Sequence, residues 1–347
     1  MTERPDPSLR SVLSAVAPGQ SVTSVKPIER GNRKRTAVVR FAGADPIVVQ
    51  QTPTPRSARV EARLLAAIDE RTSVPVARPI DSGDTGDDGW LVTPLLAGDD
   101  LHEAFVDLDA ATQQAIAGAF GRFLAELHEV FQFGRYGPLA VDNGDLVTEF
   151  RSPRSTPIGD EFDLEDGISG GVAAATPAEW REWLVTYGRA NVARLPSEFD
   201  DLRSGLLDVV ASLPATTGPA PRLFPWDFRP GNALVADGTV TAVLDWEYPL
   251  AADPALSVAK AEYLVADWYV SEERADRLRA AFREGYTSVR DIPEIRPAHR
   301  VCAIASAAVD SRGVVTNPQY PPVGRAAAVE FHRRALERVL ILSDRTM

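Results

Sequence analysis

The sequence contains little cysteine, little lysine and no long apolar run. Cys302 is the only cysteine, which excludes an internal disulfide and a cysteine-based zinc site. No apolar run reaches the roughly eighteen residues of a membrane-spanning helix. The opening MTERPDPSLR lacks the apolar core of a signal peptide. We therefore expect a cytoplasmic protein that does not insert into a membrane.

The basic residues are almost all arginine. The only lysines are Lys26, Lys34 and Lys260, and the net charge is -12. Because nucleic acids and anionic membranes attract basic surfaces, we expect neither as a partner. An acidic surface with little lysine suits a protein dissolved in concentrated salt, so we favour a halophilic source. High-GC codon usage would also replace lysine with arginine.

The composition is that of an ordinary folded protein, with 44% apolar and 25% charged residues. A chain of 347 residues exceeds one comfortable hydrophobic core, so we expect two lobes. The segments SVTSVKPIE, RTAVVRFAG and PIVVQQTP predict three antiparallel strands, followed by a helix from Ser57. VARPIDSG and GWLVTPLL predict two more strands, separated by an acidic turn at 81–88. Together with a short opening helix at 7–16, these elements predict an N-terminal lobe over 1–97.

The remainder, 98–347, is predicted to be mostly helical. Apolar spacing predicts a helix over 110–130 and further helices over 178–194 and 199–212. Between them, 131–175 is rich in glycine, proline and aspartate and predicts a long surface insertion. Asp237-Gly238 predicts a type I′ hairpin turn.

Three polar residues around this hairpin are candidate catalytic or metal-binding residues. Asp227 and Asn232 stand five residues apart in one loop, and Asp245 closes the following strand. A carboxylate and an amide oxygen suit magnesium that also binds phosphate and water, so Asn232 and Asp245 are the candidate metal ligands. Asp227 would then orient an acceptor hydroxyl and take its proton.

The segments PWDFRPGN and LDWE resemble the catalytic and metal-binding loops of the aminoglycoside phosphotransferase and choline kinase group, which usually read HGDxHPGN and IDWE. The resemblance implies an α+β, protein-kinase-like bilobal fold, with a small antiparallel-sheet lobe carrying one helix and a mostly helical second lobe. It also implies ATP and Mg²⁺ as cofactors and a small-molecule hydroxyl as acceptor. The matching residues are Asp227, Pro230, Gly231, Asn232, Asp245, Trp246, Glu247 and the DPA of Asp253-Pro254-Ala255.

Weaker similarity extends into the first lobe. VEARLLAAI resembles the family helix whose glutamate forms an ion pair, which places Glu61 at that position. WLVTPLLAG resembles the hinge, with Thr93 and Leu95 as implied nucleotide contacts. The family lysine on the third strand is replaced by Gln50, an uncharged donor. Lys34 and Arg40 are the local substitutes, and the turn from Arg30 to Arg35 is either a phosphate cradle or a solvated turn.

The entry to the catalytic loop also departs from the family, because Pro225-Trp226 replaces His-Gly. Trp226 either closes off the acceptor pocket or stacks on an acceptor ring. We read Trp180, Trp183 and Trp268 as core anchors, with Trp268 alternatively lining the acceptor cleft. His128 is expected to pack within its helix.

The sequence therefore predicts an ATP- and Mg²⁺-dependent phosphotransferase acting on a hydroxyl of an amino sugar, sugar or amino alcohol. Gln50 and Pro225-Trp226 motivate an alternative, a catalytically weak nucleotide-binding pseudokinase with a regulatory role. A third possibility, nucleotidyl transfer, would give a product of different mass.

Overall fold

The computed structural model describes residues 6–28, 34–148, 176–214, 220–310, 313–316 and 322–344. Its N-terminal part is a five-stranded antiparallel sheet with the spatial order β1-β2-β3-β5-β4. One helix lies on each face of this sheet. The elements are α1 (Pro7–Val16), β1 (Val22–Ile28), β2 (Arg35–Phe41), β3 (Ile47–Thr52), α2 (Pro55–Arg71), β4 (Asp81–Thr85) and β5 (Asp88–Pro94).

Alternation along the strands divides the apolar side chains between the two faces of the sheet. Val49 and Trp90 point to the face covered by Leu9 and Val12 of α1. The neighbouring residue Leu91 belongs to the opposite face, where it joins the apolar stripe of α2, formed by Val60, Leu64, Leu65 and Ile68. The sheet therefore fixes the position of α2, the helix that carries Glu61.

The acidic stretch 81–88 is mainly a strand rather than the turn we expected. β4 begins at Asp81, and the two residues between Thr85 and Asp88 make the turn, with Gly86 at φ 66°. β4 is an edge strand, so its acidic side chains can point to water while its backbone pairs with β5. The predicted strand VARPIDSG is therefore displaced towards the C-terminus.

The C-terminal part is mostly helical and carries two small sheets, with the orders β11-β10-β6 and β8-β7-β12-β9. A segment of π-helix, Tyr263–Asp267, follows α7. The elements are β6 (Asp99–Asp100), α3 (Leu101–Ala104), α4 (Ala110–Val130), β7 (Gly137–Asp142), β8 (Asp145–Thr148), α5 (Pro177–Arg194), α6 (Asp200–Ala211), β9 (Arg222–Phe224), β10 (Ala233–Ala236), β11 (Thr239–Val243), β12 (Leu250–Ala252), α7 (Pro254–Glu262), α8 (Glu272–Thr287), α9 (Pro297–Ala308) and α10 (Arg325–Asp344).

Two features of this part can be compared with the sequence predictions. The hairpin turn at Asp237-Gly238 is confirmed, since both residues have positive φ, 50° and 73°, as a type I′ turn requires. The beginning of the stretch 131–175 contains the hairpin of β7 and β8, and β7 pairs with β12. That beginning is therefore part of a sheet, and 149–175 lie outside the described residues.

Helices α4 and α8 pack closely against each other, and glycine permits the approach. A Cβ added to Gly121 on α4 would lie 1.9 Å from the carbonyl oxygen of Phe282 on α8. The reciprocal position, Gly285 on α8, would meet the carbonyl of Gly118 at the same distance. Phe120 on α4 is buried and packs against Phe228, which lies in the loop between β9 and β10.

We predict that Gly121→Ala lowers the free energy of unfolding by about 1–3 kcal/mol, because the added methyl group must push two backbones apart. Gly118→Ala is the matched control, since its Cβ would meet the nearest atom at 3.5 Å, an ordinary contact. Urea unfolding should show the control to be unchanged or stabilised by up to about 1 kcal/mol from helix propensity. Equal stability of the two variants would contradict this packing argument.

Candidate active site

Asp227 lies in the loop between β9 and β10, and its side chain is exposed. The next residue, Phe228, is buried and packs edge to face against Phe120 and Trp246. Asn232 braces the same loop, because its side-chain Nδ2 donates to the main-chain carbonyl of Asp227 at 2.9 Å. The loop is therefore held by an apolar anchor and a polar brace, while the Asp227 carboxylate faces solvent.

Asp245 follows β11 in a backbone conformation with φ 62°, which is unfavourable for a residue with a side chain. The amide of Leu244 donates to the carbonyl of Asn232 at 2.7 Å. The buried indole of Trp246 donates to the carbonyl of Val243 at 2.9 Å. These bonds hold Asp245 beside the catalytic loop, and such a strained backbone at an exposed polar residue is typical of a functional site.

Asn232 and Asp245 have the donor atoms that magnesium prefers. The NH₂ group of Asn232 is used by the carbonyl of Asp227, so Oδ1 is the side-chain atom left for a cation. Asp245 adds one carboxylate. Within the described ranges, no group of three or more His, Cys, Asp or Glu side chains could hold a metal ion. An amide and one carboxylate suit magnesium that takes its other ligands from phosphate and water.

Lys34 lies between the two lobes, in contact with carboxylates from both. Its Nζ donates to Glu61 at 2.9 Å and to Asp245 at 3.3 Å, and Glu247 lies 4.0 Å away. The side chains of Lys34 and Glu61 are only 10% and 6% exposed, so water screens this pair weakly. Burial lowers the pKa of Lys34, but the three carboxylates raise it more, and the net pKa lies above the ordinary value. Lys34 is therefore a cation at neutral pH.

Strand register explains how Lys34, the residue just before β2, reaches this position. Thr36 of β2 lies opposite Gln50 of β3, and Arg35 lies opposite Gln51. Because side chains alternate, Lys34 shares a face with Thr36 and Gln50. Gln50 is half-buried, and its side chain makes no hydrogen bond within the part of the chain that the structure describes. Lys34 therefore makes the ion pair with the helix glutamate from the strand next to the one that carries Gln50.

The other predicted nucleotide contacts lie along the same sheet. Arg40 is exposed and lies six residues along β2 from Lys34, roughly 20 Å away at 3.3 Å per residue. Thr93 is buried on β5. The amide of Leu95 donates to the carbonyl of Pro46 at 3.1 Å, so this amide is already engaged. Of the Arg30–Arg35 cluster, 29–33 lie outside the described residues, and Arg35 forms an exposed ion pair with Asp88 at 2.9 Å.

Sequence reasoning missed Lys260, a buried lysine beside the catalytic loop. Its Nζ lies 4.9 Å from the ring centroid of Trp226 and 3.4 Å from Oγ of Ser306. Burial lowers the pKa of Lys260, the charge of Asp227 opposes that change, and Arg229 reinforces it. The available signal was the position of this lysine in a helix of otherwise apolar and small residues, ALSVAKA.

Trp226 ends a row of aromatic rings that runs from β7 to the catalytic loop, formed by Tyr136, Trp180, Trp183 and Tyr187. Trp268 lies in a different aromatic cluster, with Tyr263 and Phe331. His128 is buried and bonded to Tyr286 at 2.8 Å and to Ser257 at 3.1 Å. Its contacts are those of a core residue.

Asp253 links the metal-binding loop to α7. It caps this helix, because its carboxylate accepts from the amide of Ala255 at 2.7 Å, and Pro254 occupies the first helical turn. Burial raises the pKa of Asp253 to about 6, and the bond from Ala255 opposes this shift. His299 lies 3.6 Å away, and burial lowers its pKa to about 4, so the histidine is neutral at pH 7.

Comparison with known proteins agrees with this geometry. The family model described as "Phosphotransferase enzyme family" matches residues 24–297, and the chain belongs to this family. The resemblance seen in the sequence and the predicted enzyme class, a phosphotransferase, are thereby confirmed. A search of curated proteins gave no match.

Solved structures share the whole fold at low sequence identity. A protein from Ralstonia eutropha described as an aminoglycoside phosphotransferase has a TM-score of 0.59 and 15% identity, covering 97% of this chain and 98% of its own. A macrolide 2′-phosphotransferase from Brachybacterium faecium has a TM-score of 0.53 and 21% identity, covering 95% of this chain and 98% of its own. A thermostable mutant of aminoglycoside phosphotransferase APH(4)-Ia, in ternary complex with AMP-PNP and hygromycin B, has a TM-score of 0.55 and 16% identity. The match covers 96% of this chain and 98% of that one. These likenesses confirm the predicted kinase-like α+β fold.

In the described ranges, no helix has the length and apolar character needed to cross a membrane.

We predict that Asp253→Asn changes the pH dependence of stability. The carboxyl releases its proton near pH 3.8 when unfolded and near pH 6 when folded. Between these values the folded state binds more protons, so this group's contribution to stability falls as pH rises, by about 3 kcal/mol overall. Relative to Asp253→Asn, the wild type should therefore lose stability between pH 4 and pH 6 in urea unfolding. A pH-independent difference between the two proteins would refute the assignment.

Proposed function

We propose that this protein transfers the γ-phosphoryl group of ATP to a hydroxyl group of a small molecule, with magnesium. The observation that carries the proposal is the contact of Lys34 with both Glu61 and Asp245, next to a braced Asp227. A cation, a metal-binding pair and an exposed carboxylate at one cleft are the parts that phosphoryl transfer requires. An amino sugar, a sugar or an amino alcohol is the proposed acceptor. The neighbour complexed with AMP-PNP and hygromycin B supports a nucleotide and a hydroxylated acceptor in this fold.

In this mechanism Asp227 accepts a hydrogen bond from the acceptor hydroxyl and orients its oxygen towards the phosphorus. As the new P–O bond forms and the bond to the leaving ADP oxygen breaks, the hydroxyl proton passes to Asp227. Magnesium held by Asn232 and Asp245 would neutralise charge on the phosphate oxygens. Lys34 would bind phosphate oxygens from β2, positioned by Glu61, and so replace the lysine that the family carries on β3.

The pseudokinase alternative rests on Gln50 and Pro225-Trp226. The first ground is weakened, because the ion pair that Gln50 cannot form is made by Lys34. The second ground is weakened because Asp227 remains exposed and its loop remains braced. Cytoplasmic location, salt adaptation and the absence of nucleic-acid and membrane partners stay predictions from composition.

The proposed activity is tested by a phosphate-transfer screen over small alcohols with ATP and magnesium, in buffers of low and high salt. We expect Asp227→Asn to reduce kcat about 10²- to 10⁴-fold, the usual range for loss of a general base. Nucleotide affinity, measured by calorimetry with a non-hydrolysable ATP analogue, should change little. Tight nucleotide binding with no turnover of any alcohol would favour the pseudokinase, and a nucleotidylated product mass would favour nucleotidyl transfer.

The role of Lys34 is tested by moving its charge to the neighbouring strand. Lys34→Gln should weaken ATP binding about 10- to 100-fold, because charge-assisted hydrogen bonds are lost. The double variant Lys34→Gln/Gln50→Lys restores a lysine on the same face and should recover part of this loss. Lys26→Gln, an exposed residue of β1, is the control for the change in net charge. Unchanged ATP affinity in Lys34→Gln would show that this lysine does not bind the phosphates.

A further inference from the structure

Lys260 is an unusual residue to find beside the catalytic loop. It is 7% exposed, and its ammonium group can donate three hydrogen bonds. Within the described part of the chain it has one long bond, to Ser306 at 3.4 Å, and a contact with the ring of Trp226. A buried ammonium group with so few partners is costly. The fold keeps an incompletely satisfied cation next to the residue that precedes Asp227.

A second donor lies on the same tryptophan. The indole Nε1 of Trp226 is buried and has no hydrogen-bond partner among the described residues. Asp227 is the acid whose charge acts on Lys260, and the guanidinium of Arg229 adds a further positive charge. The surroundings of Trp226 therefore contain two cations, Lys260 and Arg229, and an indole donor without a partner among the described residues, in spite of the net charge of -12.

We propose that Lys260 and Trp226 form an acceptor subsite for an anionic oxygen group, so that the acceptor is a carboxylated alcohol or sugar acid rather than an aminated one. This inference rests on the proposed phosphotransferase function and revises its acceptor class, because it replaces the aminated acceptors named there with acidic ones. A carboxylate on the acceptor would receive hydrogen bonds from the ammonium and the indole, and its hydroxyl would then meet Asp227. An ammonium group at the same point would face Lys260 and be repelled.

The alternative is that Lys260 only supports Trp226 through a cation–π contact. The two roles predict different effects on acceptors of different charge. A supporting role affects all acceptors equally, because it acts through the position of the loop. A binding role depends on the charge of the acceptor, because the energy comes from the ammonium–carboxylate pair.

The test uses matched acceptors that differ in one group: glycerate, glycerol and aminopropanediol, and glucuronate, glucose and glucosamine. The wild type should show a kcat/KM for the acidic members at least about tenfold above that for the amino members. Lys260→Gln should lower kcat/KM for the acidic members about 10- to 100-fold, the range expected for a lost charge-assisted hydrogen bond. The neutral members should change less than about threefold, because they carry no charge that pairs with the ammonium group. Lys260→Arg, which keeps the charge, should retain preference for the acidic members, and Lys26→Gln should behave as wild type.

Preference for the amino members, or an equal loss for all three members in Lys260→Gln, would overturn the proposal. If no member is phosphorylated, calorimetric titration of the acidic members in the presence of magnesium and AMP-PNP shows whether the subsite binds an acid. Binding that Lys260→Gln abolishes supports the subsite, and no acid binding at millimolar concentration refutes it. ATP turnover compared between wild type and Asp227→Asn judges the phosphotransferase proposal separately, because the binding experiment needs no turnover.

Discussion

The ammonium group of Lys34, just before β2, connects this part of the sheet with the helix α2 through Glu61 and with the loop after β11 through Asp245. All three groups must be close for the cleft between the lobes to bind phosphate in the way we propose. The pair of Lys34 and Glu61 is largely buried. Removing one partner would therefore leave an uncompensated charge, which constrains the position of α2 against the sheet.

The position of Asp227 depends on how the second lobe holds the loop between β9 and β10. Asp227 is exposed, but the residue after it is anchored in the core and Asn232 braces its carbonyl. The core below is possible because glycines on α4 and α8 let two backbones touch. The backbone around Asp227 is thus held in place, which suits the fixed geometry that phosphoryl transfer needs.

The chain as a whole is acidic, whereas the candidate site contains two largely buried lysines. The acidic surface gives a net charge of -12 and by itself would suit a cationic acceptor. Lys34 and Lys260 are both largely buried, and we propose that the first meets the phosphates and the second the acceptor. Because electrostatic interactions strengthen as water is excluded, we expect these two residues to act on ligands more strongly than the distant surface charge does.

The sequence alone determined the family, the fold class and the roles expected of Asp227, Asn232 and Asp245, because spacing within one loop and hairpin is a local property. It also named Lys34 and Arg40 as substitutes for the lysine that Gln50 replaces, without choosing between them. The choice needed strand register and the position of α2, which set the ion pair of Lys34 with Glu61. The strand at 81–85 and the burial of Lys260 under Trp226 likewise depended on pairing and packing between distant segments. Those contacts follow from the tertiary structure, since no periodicity along the chain encodes which side chains share a buried space.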